Sequence, residues 1–102
     1  MPTPASRPNI LFLVPADLGT QLGWYGDPYA RTPNIDQLAQ DGVRFTQATT
    51  PYSVCSPSRA CALTGIYPHQ NGHIGLATHC FQLYSDDTPN IVTHLQSGGY
   101  RA

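Results

Sequence analysis

Apolar residues along the chain gather into short runs, and each run predicts one element of secondary structure. Residues 9–14 form an apolar-rich stretch without alternation, which predicts a strand buried on both faces of a parallel sheet. Residues 43–48 predict a second strand. Between them, Ile35, Leu38 and Ala39 recur at the i, i+3, i+4 spacing, which places them on one face of a helix.

Residues that start and stop helices mark the boundaries of the helical segments. Thr32 can cap the first helix, Pro33 fits its first position, and Gly42 suits the left-handed position that ends it. By the same reasoning, Ser56 can cap a second helix over residues 56–64, which would make about two turns.

The rest of the chain contains one further helix among irregular segments. Gly65 is expected to end the second helix in a left-handed conformation, and residues 66–87 are predicted to be a loop. A last helix is predicted over residues 88–97, ending at Gly98. Residues 1–8 are predicted to be a disordered lead-in.

The predicted order of strand, helix, strand, helix and helix indicates an α/β fold. In such a fold the last helix should lead into another parallel strand. Two strands cannot bury the apolar faces of three helices, and they would leave sheet edges unpaired. We therefore expect the chain to hold part of a larger fold, and the isolated 102 residues to be aggregation-prone or partly disordered.

Composition and charge exclude some classes of partner. The net charge is −1, and the basic residues are five arginines with no lysine, so the basic patch of a nucleic-acid surface is missing. No stretch approaches the ~20 apolar residues of a membrane span, so no membrane partner is expected. The first eight residues hold no apolar segment of a secretory signal. This makes the cytoplasm the default expectation for location, with a sequence that begins after a lost signal as the alternative.

Three cysteines give an odd count. If Cys55 is reserved for chemistry, Cys61 and Cys80 could form a disulfide. Because no secretory signal is visible, two buried free thiols are the favoured interpretation of that pair.

The segment Cys55-Ser56-Pro57-Ser58-Arg59 carries the most specific chemistry of the chain. A cysteine at the start of a helix lies beside unsatisfied backbone N–H groups and a partial positive charge, where a sulfate or phosphate group binds well. Arg59, one turn into the helix, presents a planar guanidinium that suits tetrahedral oxyanions. Taken singly, Cys55 would be read as a small buried residue and Arg59 as a surface charge; the fixed Cys, Pro, Ser and Arg together favour a nucleophile with an anion clamp.

The same segment resembles the signature of the sulfatases, a family of the alkaline-phosphatase-like superfamily. The likeness extends from Arg7 to Ala102 and includes Pro8-Asn9-Ile10-Leu11, Thr32-Pro33-Asn34-Ile35-Asp36 and Gly98-Gly99-Tyr100. It implies the N-terminal part of an α/β/α sandwich with a mostly parallel sheet, incomplete in this chain. His69-Gln70-Asn71-Gly72 is most similar to the sulfamidase (heparan N-sulfatase) branch.

The resemblance implies a role for each matching residue. Cys55 would be oxidised to formylglycine by a dedicated maturation enzyme that reads the Cys-x-Pro-x-Arg pattern. One hydroxyl of the aldehyde hydrate would attack sulfur and the alcohol or amine would leave. The second hydroxyl would then expel sulfate and regenerate the aldehyde. Asp17 and the group made from Cys55 would hold Ca²⁺ or another divalent cation. Arg59 would steady the transferred group. His73 would contact the substrate.

The chain departs from the family at one metal ligand, and its histidines are not expected to replace that ligand. The family carries two adjacent aspartates after the first strand, and here Ala16 replaces the first, which should weaken the binding of a cation that takes 6–8 oxygen ligands. His69 and His73 could bind a metal together only on one helix, and Gly72 and Gly75 argue against a helix there.

Three functions are compatible with the sequence. The first is a hydrolase of sulfuric esters or sulfamates that acts on a sulfated small molecule or sulfated sugar. The second is a phosphonate or phosphate monoester hydrolase of the same superfamily, because both anions are tetrahedral. The third is a truncated, inactive sulfatase remnant, which Ala16 and the missing C-terminal half of the family's sequence favour.

Overall fold

The computed structural model describes residues 7–102, which divide into two compact units with the boundary between Arg44 and Phe45. Residues 1–6 of the predicted lead-in lie outside the described residues. Each unit is built from short helices and turns, and no strand forms within residues 7–102.

The first unit contains a 3₁₀ turn at Gly23–Tyr25 and helix α1 at Pro33–Asp41. Pro33 opens α1, as predicted. Thr32 occupies the predicted N-cap position, but its side chain bonds no amide of the helix. Its Oγ1 donates to Asp36 Oδ1 at 2.9 Å and accepts from the Gly23 amide at 2.9 Å, which ties the turn to the helix. The left-handed conformation predicted for Gly42 is also wrong, because its φ is −117°.

The second unit contains three helices: α2 (Cys55–Thr64), α3 (Pro68–Asn71) and α4 (Ile91–Ser97). Helix α2 begins one residue earlier than predicted, after the extended residue Val54, so Ser56 is not its N-cap. Its end is confirmed, since Gly65 takes a φ of 71° and donates its N–H to the Cys61 carbonyl at 2.8 Å.

The segment after α2 is more ordered than predicted. It contains α3 and a 3₁₀ turn at Ala77–His79. Helix α4 starts three residues later than predicted, because Asn90 is its cap. The Asn90 side chain accepts from the amides of Val92 and Thr93 at 3.0 and 3.1 Å, and the Thr93 hydroxyl accepts from the Asn90 amide at 3.1 Å.

The predicted parallel sheet is not confirmed. Residues 9–14 form no strand and are exposed, with Leu11 at 81% and Phe12 at 61% exposure. Residues 43–48 likewise form no strand. A strand exists only when its backbone N–H and C=O groups pair with a neighbour, and neither segment finds such a neighbour among the described residues. Within the described part, no helix has the length and apolar character needed to cross a membrane.

Among residues 7–102, the buried residues lie in the second unit, where α2 packs against α3. Pro57 and Cys61 of α2 are buried, together with Pro68 and Asn71 of α3. This small core fixes the orientation of α2, which carries the candidate nucleophile.

Candidate active site

Cys55 occupies the first position of α2 and is exposed. No side chain caps this end of the helix. The amides of Cys55 and Ser56 donate to no group in the described part of the chain, and Pro57 has no N–H to donate; the first helical bond comes from Ser58 to the Val54 carbonyl at 3.1 Å. The helix therefore presents open donors and a partial positive charge beside the thiol.

Arg59 lies one turn after Cys55 and is also exposed. Residues four apart on a helix lie on the same face, about 5–6 Å apart at their Cβ atoms. Among residues 7–102, no carboxylate forms an ion pair with Arg59. Its guanidinium is consequently available to an anion placed at the start of α2.

The outward direction of this pair follows from the residues that α2 buries. Pro57 and Cys61 are also four apart, and they face the core on the opposite side of the helix. Ser58 adds a lateral contact, because its hydroxyl lies 2.7 Å from Thr50 Oγ1 in the segment before the helix. Packing therefore holds α2 with Cys55 and Arg59 turned to solvent.

A second segment, residues 73–77, runs beside the residues that flank Cys55. The Ser56 hydroxyl accepts from the Ala77 amide at 3.3 Å. The Tyr52 hydroxyl donates to the Ile74 carbonyl at 2.9 Å. Both contacts come from side chains within three residues of Cys55, so the structure brings this segment to the start of α2.

His73, the predicted substrate contact, stands at the beginning of that segment and is half-buried. Its amide donates to Asn71 Oδ1 at 2.8 Å, and its buried Nε2 has no partner among residues 7–102. His69 lies in α3, exposed and stacked on Tyr67 with ring centroids 5.9 Å apart. Gly72 ends α3 with a φ of 86°, so His69 and His73 do not share a helix, as predicted.

A metal site is not complete in the described residues. Asp17 belongs to the first unit, is exposed and has a φ of 53°. Residues 7–102 contain no group of three or more His, Cys, Asp or Glu side chains that could hold a metal ion. Asp17 can offer one carboxylate, and Ala16 offers none, so the residues present do not fit a calcium ion on their own.

All three cysteines are free. Cys61 is buried, at 7% exposure, but Cys80 is exposed, so the predicted pair of buried thiols is wrong for Cys80. Cys80 ends the 3₁₀ turn at Ala77–His79 with a φ of 65°.

A cleft of about 500 Å³ lies beside α2 in the second unit. It is lined by Thr49, Thr50, Pro51, Ser58, Cys61, Ala62, Gly65, Ile66 and Tyr67. Neither Cys55 nor Arg59 lines it, and the cleft is therefore separate from the candidate nucleophile.

Comparison with known proteins places the chain in a family. The Sulfatase family model matches residues 8–102, which is nearly the whole chain. The chain belongs to the sulfatase family. This confirms the resemblance drawn from residues 55–59, and the sulfatase family implies the alkaline-phosphatase-like fold.

Curated sulfatases from distant organisms are similar to this chain. Human arylsulfatase D is 52% identical over 69 residues, which cover 67% of this chain and 12% of that protein. The ulvan-active sulfatase of Formosa agariphila is 36% identical over 100 residues, which cover 94% of this chain and 19% of that protein. The N-acetylglucosamine-6-O-sulfatase of Bacteroides thetaiotaomicron is 36% identical over 96 residues, which cover 93% of this chain and 16% of that protein. The chain thus spans less than a fifth of the length of these sulfatases, and no solved structure gives a significant match.

Sequence reasoning missed two residues of the site. Tyr52 lies before the signature and gave no signal of its own. Asn71 was noted only as part of the sulfamidase-like segment, yet it is buried at 3% exposure. The pattern of Pro68 followed by Gly72 could have revealed α3, because proline opens a helix and glycine ends it, but no pattern in the sequence indicates what the Asn71 side chain contacts.

Proposed function

We propose that this chain supplies the nucleophile and the anion clamp of a hydrolase that cleaves sulfuric esters or sulfamates. The observation that supports it is the shared outward face of Cys55 and Arg59 at the uncapped start of α2. Membership of the sulfatase family points to the same reaction. Catalytic roles are assigned to Cys55 and Arg59.

The chemistry begins with modification of Cys55 to formylglycine, whose hydrate supplies a hydroxyl nucleophile for attack on sulfur. Exposure of Cys55 at the end of a helix lets a sulfate group approach it from solvent. The open amides of Cys55 and Ser56 would donate hydrogen bonds to oxygens of that group, and Arg59 would bind the remaining negative charge. Donors fixed in this way stabilise charge in the transition state because they need no reorganisation during the reaction.

The cation and the maturation enzyme are part of the same proposal. A divalent cation such as Ca²⁺ would need Asp17 together with further oxygen ligands. A maturation enzyme that reads Cys-x-Pro-x-Arg would act on residues 55–59.

The proposal also includes the finer description of the fold. We infer that residues 9–14 become a strand of a mostly parallel sheet in an α/β/α sandwich. Their high exposure supports this, since an apolar run of this kind is favourable only when it is covered.

The substrate class is proposed to be a sulfated small molecule or a sulfated sugar. Two similar proteins are named as an ulvan-active sulfatase and an N-acetylglucosamine-6-O-sulfatase. His73 is proposed as a contact of the substrate on the segment beside Cys55.

Turnover of para-nitrophenyl sulfate and para-nitrophenyl phosphate by the protein purified from its native host tests the proposal. We expect release of para-nitrophenol from the sulfate ester, complete loss in Cys55→Ala, and full retention in Cys80→Ala. Cys80 is the matched control because it is also a free, exposed cysteine of the same unit. Preference for the phosphate ester, or activity that survives Cys55→Ala, would contradict the proposal.

A further inference from the structure

Asn71 is the buried polar side chain of the second unit, and every polar group it carries has a partner. It is only 3% exposed. Its Nδ2 donates to the Ile66 carbonyl at 3.1 Å and lies 3.9 Å from Cys61 Sγ, while Oδ1 accepts from the His73 amide at 2.8 Å. A buried amide whose hydrogen bonds are all made fixes the groups around it, because any displacement leaves a buried polar atom unpaired.

These contacts join α2 to the segment at residues 73–77. Cys61 lies within α2 and Ile66 follows its end, whereas His73 begins the segment. The backbone carbonyl of Asn71 also accepts from the Tyr84 amide at 2.8 Å, which holds the far side of the loop.

Three side chains bind the backbone of the segment. Asn71 holds the His73 amide, the Tyr52 hydroxyl holds the Ile74 carbonyl, and the Ser56 hydroxyl holds the Ala77 amide. The His73 imidazole adds no anchor through Nε2 among the described residues. The Asn71 bond is partly buried, whereas the bonds from Tyr52 and Ser56 are exposed, and water therefore competes least for the Asn71 bond.

We propose that Asn71 is a positioning residue of the site: it fixes residues 73–77 as a wall beside Cys55, against which the part of the substrate beyond the sulfate group lies. This inference rests on the proposed sulfatase function. Asn71 itself touches neither the sulfate group nor the nucleophile. Its loss should weaken the binding of the whole substrate while the anion clamp at Cys55 and Arg59 stays intact.

Steady-state kinetics with para-nitrophenyl sulfate, with inorganic sulfate as the inhibitor, separates these two effects. Asn71→Leu keeps the approximate size of the side chain and removes both polar groups. We expect KM to rise about tenfold, while kcat and the inhibition constant of sulfate change by less than about twofold, as is typical when binding energy common to ground and transition states is lost.

Two further variants serve as a control and as an independent test of the role of residues 73–77. Gln70→Leu changes the exposed neighbour in α3 and should leave all three constants unchanged. Tyr52→Phe removes only the hydroxyl that binds the Ile74 carbonyl, a change that folding tolerates, and it should raise KM in the same direction without altering sulfate inhibition.

The outcomes are distinguishable. A fall in kcat with unchanged KM in Asn71→Leu would mean that less enzyme is folded, and it would overturn the positioning role. An unchanged KM in Tyr52→Phe would contradict the proposal that residues 73–77 form a wall against which the substrate lies. A wild-type protein with an unmodified Cys55 and no sulfate turnover would overturn the proposed function, and the substrate role of residues 73–77 with it.

Discussion

Gly65 and Gly72 offer a test of how the second unit is packed, because the two glycines share a backbone conformation but differ in their surroundings. Gly65 has a φ of 71° and Gly72 a φ of 86°, and each ends a helix. A Cβ at position 65 would meet no atom within 4 Å, whereas a Cβ at position 72 would lie 2.5 Å from Cδ1 of Tyr84.

The expected costs follow from these two environments. Alanine in a left-handed conformation costs about 1 kcal/mol at either position. At position 72 the Tyr84 ring must also move, and its backbone bond to the Asn71 carbonyl is strained, which adds about 1 kcal/mol. We therefore expect a destabilisation of about 1 kcal/mol for Gly65→Ala and about 2 kcal/mol for Gly72→Ala.

Native-state hydrogen exchange measures these costs locally. The amide of residue 65 donates to the Cys61 carbonyl at 2.8 Å, and the amide of residue 72 donates to the Pro68 carbonyl at 2.9 Å. Exchange should accelerate about fivefold at position 65 in Gly65→Ala and about thirtyfold at position 72 in Gly72→Ala.

The double variant Gly72→Ala/Tyr84→Ala separates strain from the clash. Without the tyrosine ring, the destabilisation caused by Gly72→Ala should fall to that of Gly65→Ala, which corresponds to about fivefold faster hydrogen exchange. Equal acceleration in the two single variants would refute the packing of Tyr84 on Gly72. A Gly72→Ala cost that is unaffected by Tyr84→Ala would refute it as well.

Three further predictions concern the clamp, the last helix and the exposed apolar run. Arg59→Ala should lower kcat for para-nitrophenyl sulfate about 100-fold, because the oxyanion loses a fixed charged donor. Arg31→Ala, at another exposed arginine, should leave kcat unchanged, and equal effects of the two variants would contradict the role of Arg59 as an anion clamp. Asn90→Ala should cost α4 about 1 kcal/mol in hydrogen exchange, and Thr88→Ala should cost clearly less, since Asn90 holds both amides of the cap; the reverse order would contradict the assigned helix start. Leu11→Asp should reduce light scattering by the isolated 102 residues, because Leu11 is 81% exposed, and unchanged scattering would argue against the apolar run as the cause of aggregation.

Residues that act on their own chain neighbours were predictable from the sequence. Pro33 opens α1 and Gly65 ends α2 because the conformations they favour are local. The order of Cys55 and Arg59 also fixes their shared face once the helix exists, so the candidate nucleophile and clamp could be read directly from residues 55–59.

The start of each helix was harder to predict, because several polar residues compete for the cap. Ser56 was expected to cap α2, but its hydroxyl accepts from Ala77, which is 21 residues away. Thr32 was expected to cap α1, and its hydroxyl instead joins Asp36 to the Gly23 amide. A side chain that finds a distant partner is lost to its own helix, and local patterns do not report that partner.

Long-range features could not be predicted from a single sequence. The apolar run at residues 9–14 predicted a strand, yet strand pairing depends on a neighbour that the run itself does not specify. The contacts of Asn71 likewise depend on the packing of α3 against α2. The segment at residues 73–77 became part of the candidate site only through such contacts.

The mass of the peptide that carries Cys55, from protein made in the native host, tests the central claim most directly. Conversion of the thiol to an aldehyde lowers the residue mass by about 18 Da, outside the oxygen additions of ordinary cysteine oxidation. We predict a peptide lighter by about 18 Da that reacts with a hydrazide, while Cys80 keeps its thiol. An unmodified Cys55 thiol, in a host that converts its other sulfatases, would contradict the assignment of Cys55 as the precursor of the nucleophile.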